Sequence, residues 1–240
     1  MKSLLTSLAV LALLAIATGV QANGVLDFTI PGGQLGAAVS YAGGAAPLVG
    51  STLKVSDVSG GDTPSNDGAT LAVTNGLLNF TTGNFTNSAG GVWNFGGGGS
   101  VTISGTIAPQ TPSGFAAFGG TSGTLMQATF SSASISNILQ NSYLTLGLFF
   151  DPPNSDLASY FGLPASNYQG FFNITFNVNS SLTPGDAFTS SFVGSGDTET
   201  SPVPAPGFLV LLCSGGTVTL ARYALRRRKT TERLRKGFST

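Results

Sequence analysis

The stretch FNITFNV, residues Phe172–Val178, alternates apolar and polar side chains along its whole length. The stretch VTISGTI, residues Val101–Ile107, repeats the same period of two. Successive side chains of a β-strand point to opposite faces, so this period predicts strands with one face in a core and the other in solvent. Both stretches are rich in Phe, Val, Ile and Thr, which suit a pleated sheet. The sequence therefore predicts an all-β body.

Further short runs of the same composition lie on both sides of these two stretches, separated by clusters of Gly, Pro, Asn, Ser and Asp that favour turns. The predicted strands are Val25–Ile30, Ala37–Tyr41, Thr52–Val58, Ala69–Thr74, Leu77–Thr81, Val92–Phe95, Ser100–Ile107, Thr124–Ser131, Tyr143–Phe150, Gly170–Asn177 and Ala187–Val193. Only Ile135–Asn141 and Asp156–Phe161 have a helical character. This spacing favours an antiparallel β-sandwich or a jelly-roll-like fold.

Residues 1–22 have the three parts of a secretory signal peptide, which we expect to form a helix before its removal. Lys2 supplies the positive charge, and Leu4–Val20 is almost entirely apolar. Small residues then lead to a cleavage site between Ala22 and Asn23. The alternative is a retained N-terminal membrane anchor, which the shortness of the apolar run disfavours. The sequence predicts that the chain is exported.

The exported body, residues 23–201, has a strongly acidic composition. It contains one Lys, no Arg and no His against nine acidic residues, a formal charge of −8. Nucleic-acid binding depends on Lys and Arg at the protein surface, so this composition argues against a nucleic-acid partner. The only Cys of the chain is Cys213, outside the body, so the body can form neither a disulfide nor a Cys/His zinc site.

Catalytic side chains are scarce in the body. A Ser nucleophile requires a base, and the body offers no His and only Lys54. Asp151 and Asp156 are the formal candidates for the two carboxyl groups of a glycoside hydrolase. Because most acidic residues lie in turn-rich segments, we expect no catalytic residues, no enzymatic activity and no cofactor.

Two groups of residues are candidates for ligand contact. Asp57, Asp62, Asn66 and Asp67 lie in one polar region and carry the oxygen donors that Ca²⁺ prefers. Asx-turns explain these four residues equally well. In a second group, three aromatic residues surround a Pro-containing loop and suit either sugar stacking or core packing: Tyr160, Phe161 and Tyr168.

The C-terminal residues change abruptly in composition. A Pro-rich joint at 202–207 precedes a predicted transmembrane helix at 208–225 and a basic cytoplasmic tail at 226–240. Basic residues remain on the cytoplasmic side of a membrane, so the body would lie outside. The orienting residues are Arg222, Arg226, Arg227, Arg228 and Lys229. The alternatives are a buried strand before a basic tail and a nucleic-acid-binding arm.

The joint, apolar run and Arg cluster together resemble the C-terminal signal of the PEP-CTERM family of bacterial exported proteins. The motif residues are Val203, Pro204, Ala205 and Pro206, with Ala205 where the family has Glu. The resemblance implies an inner-membrane-anchored precursor that is processed by an exosortase-like enzyme and released to the cell surface or extracellular space. Members of this family are associated with biofilms and with exopolysaccharide production in Gram-negative bacteria.

These features predict an exported surface or extracellular-matrix protein with a structural or adhesive role. Its expected partners are the membrane, at least transiently, and the sorting enzyme. The alternative is a carbohydrate-binding module, with or without Ca²⁺, that contacts exopolysaccharide. Saturable glycan binding by the body would distinguish these two functions.

Overall fold

Buried and exposed residues alternate along the strands as the sequence predicts. In the strand Tyr168–Asn177, which contains most of FNITFNV, the buried residues are Tyr168, Gly170, Phe172, Ile174 and Phe176, and the residues that alternate with them are half-buried or exposed. This is seen in a computed structural model, which describes residues 24–34, 36, 38–139, 142–150, 153–164, 168–179 and 181–202. All of these residues belong to one compact unit.

Eleven strands and one short helix, α1 at Ser155–Phe161, are formed by the described residues. The strands are β1 Val25–Ile30, β2 Ala38–Tyr41, β3 Pro47–Gly61, β4 Thr70–Ala89, β5 Val92–Phe95, β6 Gly98–Ile107, β7 Thr121–Leu139, β8 Ser142–Phe150, β9 Tyr168–Asn177, β10 Phe188–Thr189 and β11 Phe192–Pro202.

The strands pair antiparallel in one continuous sheet, in the order β10-β2-β3-β1-β11-β9-β8-β7-β5-β4-β6. Additional pairings of β3 with β4 and of β7 with β6 close this sheet on itself. Opposite strands therefore face one another across a shared core. The predicted all-β, antiparallel class is confirmed, and all eleven described strands belong to a single sheet.

Three predicted elements differ in the structure. The predicted strand Ala187–Val193 is divided between β10 and the start of β11 by a break at residues 190–191, and no strand was predicted for the rest of β11. Ala69–Thr74 and Leu77–Thr81 are one strand, β4, because the break between them is a register shift at Asn75. Asn75 has a φ of 52°, a conformation that Asn tolerates better than most residues. The helical character of Ile135–Asn141 is wrong for its described part, since Ile135 lies in β7 between β5 and β8.

Helix α1 confirms the helical prediction for Asp156–Phe161. The Asn154 side chain caps its first turn by accepting hydrogen bonds from the backbone N–H groups of Asp156 and Leu157. Gly162 ends the helix with a φ of 69°, a left-handed conformation that favours Gly.

Aromatic rings fill much of the core. Trp93 packs in edge-to-face geometry on Tyr41 and Phe188, with ring centroids 5.7 and 5.8 Å apart. Elsewhere Phe80 packs on Phe172 at 5.0 Å. The Phe80 ring also lies directly over Gly50, where an added Cβ would come within 2.0 Å of it. Small residues therefore make room for large rings in a core of otherwise alternating strands.

The first and last strands lie side by side. Leu26 of β1 pairs with Thr200 of β11, so the two ends of the body meet within the sheet. Pro202, which the sequence assigns to the Pro-rich joint, is instead the last residue of β11 and pairs with Tyr168. The predicted signal helix, the sorting motif, the transmembrane segment and the basic tail all lie outside the described residues. Within the described part of the chain, no helix is long and apolar enough to cross a membrane.

Candidate functional site

The four Ca²⁺ candidates have separate structural roles. The Asp57 carboxylate, on β3, accepts a hydrogen bond of 2.8 Å from the Thr29 hydroxyl of β1. Asp67 accepts a bond of 3.3 Å from the backbone N–H of Thr63, four residues earlier, and so closes the loop between them. Asp62 is exposed at the end of β3 with a φ of 53°.

Asn66, the fourth candidate, joins three segments of the fold. Its Nδ2 donates to the carbonyl of Tyr160 at 2.7 Å, and its Oδ1 accepts from the N–H of Ala116 at 3.0 Å. Both ends of the amide are therefore occupied. Among the residues that the structure describes, no group of three or more His, Cys, Asp or Glu side chains is placed to hold a metal ion. In this structure Asp57 links β3 to β1, Asp67 closes its own loop, and Asn66 attaches helix α1 to the loops that carry Asn66 and Ala116.

The aromatic loop residues pack against the body. Phe161 and Tyr168 are buried, and Tyr160 makes edge-to-face contact with Phe118 at 5.2 Å. The Tyr160 hydroxyl donates to the carbonyl of Ala116 at 3.0 Å, and burial raises the pKa of this phenol. Core packing, the second interpretation of this loop, is what the structure shows.

The terminal residues of the predicted sites lie outside the described residues. These are Ala22 and Asn23 of the cleavage site, the sorting motif Val203–Pro206 and the basic residues from Arg222 to Lys229. Asp151 of the formal carboxyl pair is also outside, while Asp156 is exposed in the first turn of α1.

A band of carboxylates crosses the outer face of three neighbouring strands. Asp27 of β1 pairs directly with Glu199 of β11. Two residues further along β1 and on the same face, Thr29 pairs with Asp197 of β11 and with Asp57 of β3. Directly paired residues share a face, with Cβ atoms about 5 Å apart. We call these four acidic residues the carboxylate band.

Asp27 is the most perturbed member of the carboxylate band. Burial, together with the negative charges of Asp197, Glu199 and Asp57, raises the pKa of its carboxyl group to about 6. Its Oδ1 is buried and accepts no hydrogen bond from any described group. The only basic residue of the body, Lys54, lies three residues before Asp57 on β3. The carboxylates of the band therefore repel one another and attract positively charged groups.

An exposed aromatic ring adjoins this band. Phe171 of β9 is 58% exposed and pairs with Glu199, so the ring continues the row formed by Asp27 and Glu199. On the side of the Phe171 ring away from Glu199 lies a groove of about 370 Å³. We call this the Phe171 groove; its lining includes Phe171, Phe172, Phe95, Asn94, Ser132 and Ser134.

A second, more open depression lies over the carboxylate band itself. It measures about 580 Å³, and its lining includes Asp27, Asp197, Thr29, Asn173 and Thr175. Carboxylate, amide and hydroxyl groups thus lie beside an exposed phenyl ring. This combination suits a ligand with one apolar face and many hydrogen-bonding groups.

The carboxylate band is poorly arranged for hydrolysis of a glycosidic bond. That reaction needs two carboxyl groups that flank the bond from opposite sides. Asp27 and Glu199 are instead neighbours on one sheet face and project from it in the same direction. The carboxylate band therefore lacks the arrangement that glycoside hydrolysis requires.

Sequence reasoning missed Phe171 as a surface residue, although the alternation contains the signal. Within Gly170–Asn177, Phe172, Ile174 and Phe176 occupy one face, which leaves Phe171 among the polar residues of the other. The pairing of Asp27 with Glu199 had no comparable signal. It requires the register between strands from opposite ends of the chain.

In comparisons with known proteins, the chain matches no family model, no curated protein and no solved structure. Its function is therefore argued from its own residues.

Proposed function

We propose that this protein is an exported surface or extracellular-matrix protein with a structural or adhesive role, sorted through its C-terminal segment. The observation that carries the proposal is the order of parts along the chain. A signal-like leader precedes an acidic β body, and a Pro-rich joint, an apolar run and a cluster of Arg follow it. The localisation that this order supports is an inner-membrane precursor whose body is outside the cytoplasm.

The end of the fold is compatible with removal of the tail. Strand β11 ends at Pro202, and the motif Val203–Pro206 follows it at once. Cleavage within this motif would leave all eleven strands of the described body intact. A sorting enzyme of the exosortase type would thus release a folded acidic domain.

Deletion of residues 203–240 tests this proposal. We expect the full chain to fractionate with the membrane or the cell surface and the deleted chain to appear free in the secreted fraction. The deletion begins after Pro202 so that β11 is retained. Ala205→Glu, which restores the usual Pro-Glu-Pro motif, is the matched control and should be sorted at least as efficiently. Unchanged surface association of the deleted chain would refute the sorting role.

The second candidate function is that of a carbohydrate-binding module. The exposure of Phe171 beside the Phe171 groove favours it, because an exposed ring next to a concave surface with hydrogen-bonding groups suits contact with a sugar. Either function places this outer face in contact with the extracellular matrix.

A further inference from the structure

The Phe171 groove and the carboxylate band meet at one pair of residues, Phe171 and Glu199. From this juxtaposition we propose that the outer face of β9, β11 and β1 binds a cationic glycan, a polymer whose sugar units carry free amino groups. This names the ligand class of the adhesive face and rests on the proposed function only for its biological setting. The binding itself can be measured without reference to export.

The shape of the site favours a slender ligand over a protein surface. The groove is about 370 Å³, the scale of small-molecule and oligomer sites. A protein partner could also bind by adding a strand to a free sheet edge. A strand cannot be added at this face, because β8, β9 and β11 are each paired with a strand on both sides.

The polar groups around the ring favour sugar units. Ser132 and Ser134 line the groove beside Asn94, whose amide already donates to Asn87. Asn173 lines the neighbouring depression beside Thr175, whose hydroxyl is bonded to the backbone of Ser195. Ser132, Ser134 and Asn173 are therefore the groups offered to a ligand. Amide and hydroxyl groups at this density match the hydroxyl groups of a sugar ring, whereas a linear polyamine would leave most of them unused. The apolar face of a sugar ring can lie on the exposed phenyl ring of Phe171.

Charge complementarity favours an amino sugar over a neutral one. The carboxylate band holds four acidic residues, and the body carries a single Lys against nine acids. An ammonium group beside Glu199 would relieve this repulsion. The same ammonium group can interact with the face of the Phe171 ring. A neutral sugar would leave the carboxylates uncompensated.

The test measures binding of the full chain, in nonionic detergent, to a β-linked glucosamine hexamer and to its N-acetylated counterpart by isothermal titration. We expect saturable binding of the free-amine hexamer that weakens as NaCl rises from 50 to 500 mM. Phe171→Ala should reduce the affinity about three- to ten-fold, and Phe171→Tyr should retain it. Glu199→Gln should weaken binding and flatten its salt dependence.

Two matched controls accompany these variants. Phe192→Ala removes another exposed ring, at the other end of β11, and Asp62→Asn removes an exposed carboxylate away from the band. Neither should change the affinity.

Three results would overturn the proposal. Equal affinity for the two hexamers would remove the charge argument, and an unchanged affinity of Phe171→Ala would remove the groove as the site. Binding of polylysine with the same dependence on Phe171 would identify a basic peptide as the ligand instead. None of these results bears on sorting, which the tail deletion tests separately.

Discussion

The stability of this fold depends on pH through one residue, Asp27, whose surroundings raise the pKa of its carboxyl group. Burial and three neighbouring carboxylates oppose ionisation of its carboxyl group and raise the pKa from 3.8 in an unfolded chain to about 6 in the folded protein. Between these values the folded protein binds the proton more tightly than the unfolded chain. The contribution of Asp27 to stability is therefore fully present below about pH 4 and is lost as the pH rises through 6.

We expect Asp27→Asn to stabilise the protein at pH 7.5. The shift of the pKa corresponds to about 3 kcal/mol at most, which solvent screening at this half-exposed site reduces to about 1 kcal/mol. The melting temperature should rise by about 2 to 4 °C at pH 7.5 and vary less between pH 4.5 and 7.5. Thermal denaturation followed by circular dichroism across this range provides the measurement.

Asp62→Asn is the matched control for this charge change. Asp62 is exposed with a φ of 53°, and Asn tolerates that conformation. Its melting temperature should follow the wild-type pH dependence. A steeper pH dependence in Asp27→Asn than in the wild type would contradict the assignment.

At the residue scale, sequence reasoning identified alternating core positions but not the chemistry of individual surface residues. Phe172, Ile174 and Phe176 were predictable because a period of two is a local property. The perturbation of Asp27 was not, since it arises from Asp197, Glu199 and Asp57, which approach only when distant strands pair.

At the element scale, Asn66 holds helix α1 to two loops. Its amide joins the carbonyl of Tyr160, in the helix, to the N–H of Ala116. Its φ of 53° is also a conformation that Asn adopts more readily than Ala. The sequence offers Asn66 only as a weak Ca²⁺ candidate, which an Asx-turn explains at least as well, and the contacts show a hydrogen bond at each end of its amide.

Asn66→Ala should destabilise the protein by about 2 to 3 kcal/mol, because two hydrogen bonds are lost and the backbone becomes strained. We expect the melting temperature to fall by about 4 to 12 °C. Asn84→Ala, an exposed Asn on β4 with an ordinary φ, should change the stability by less than about 0.5 kcal/mol.

The same melts at 5 mM Ca²⁺ distinguish the two interpretations of Asn66. Attachment of α1 predicts the same loss with and without Ca²⁺. If Ca²⁺ stabilised the wild type but not Asn66→Ala, the residue would be a metal ligand after all.

Strand boundaries show where sequence reasoning succeeds for whole elements and where it fails. Val25–Ile30 and Val92–Phe95 were predicted to the residue, because turn residues bound both runs. The helical character at Ile135 was wrong because pairing with β5 and β8 overrides a weak local preference. Likewise, the Pro at 202 suggested a joint, although a strand can end on Pro.

For the whole molecule, the pairing of β1 with β11 makes the last strand essential. β11 lies between β1 and β9, and it pairs with β9 along most of its length and with β1 over residues 196–200. Without it, two strands would expose unpaired backbone groups and the ring of strands would stay open. The pairing of β1 with β11 also slows folding, because the long stretch of chain between these two strands must close into a loop before they can pair. The body therefore completes its fold only when β11, at its C-terminal end, is available.

This dependence predicts a sharp limit to truncation. A chain that ends at Val203 should unfold cooperatively, with a melting temperature within about 2 °C of the full chain, since β11 is complete at Pro202. A chain that ends at Ser191 lacks β11 and should show no cooperative transition, because β1 and β9 lose their common partner. A cooperative transition in the shorter chain would show that the sheet does not depend on β11. If instead the longer chain also failed to fold, residues beyond 203 would take part in the fold, and a sorting enzyme could not remove them without loss of structure.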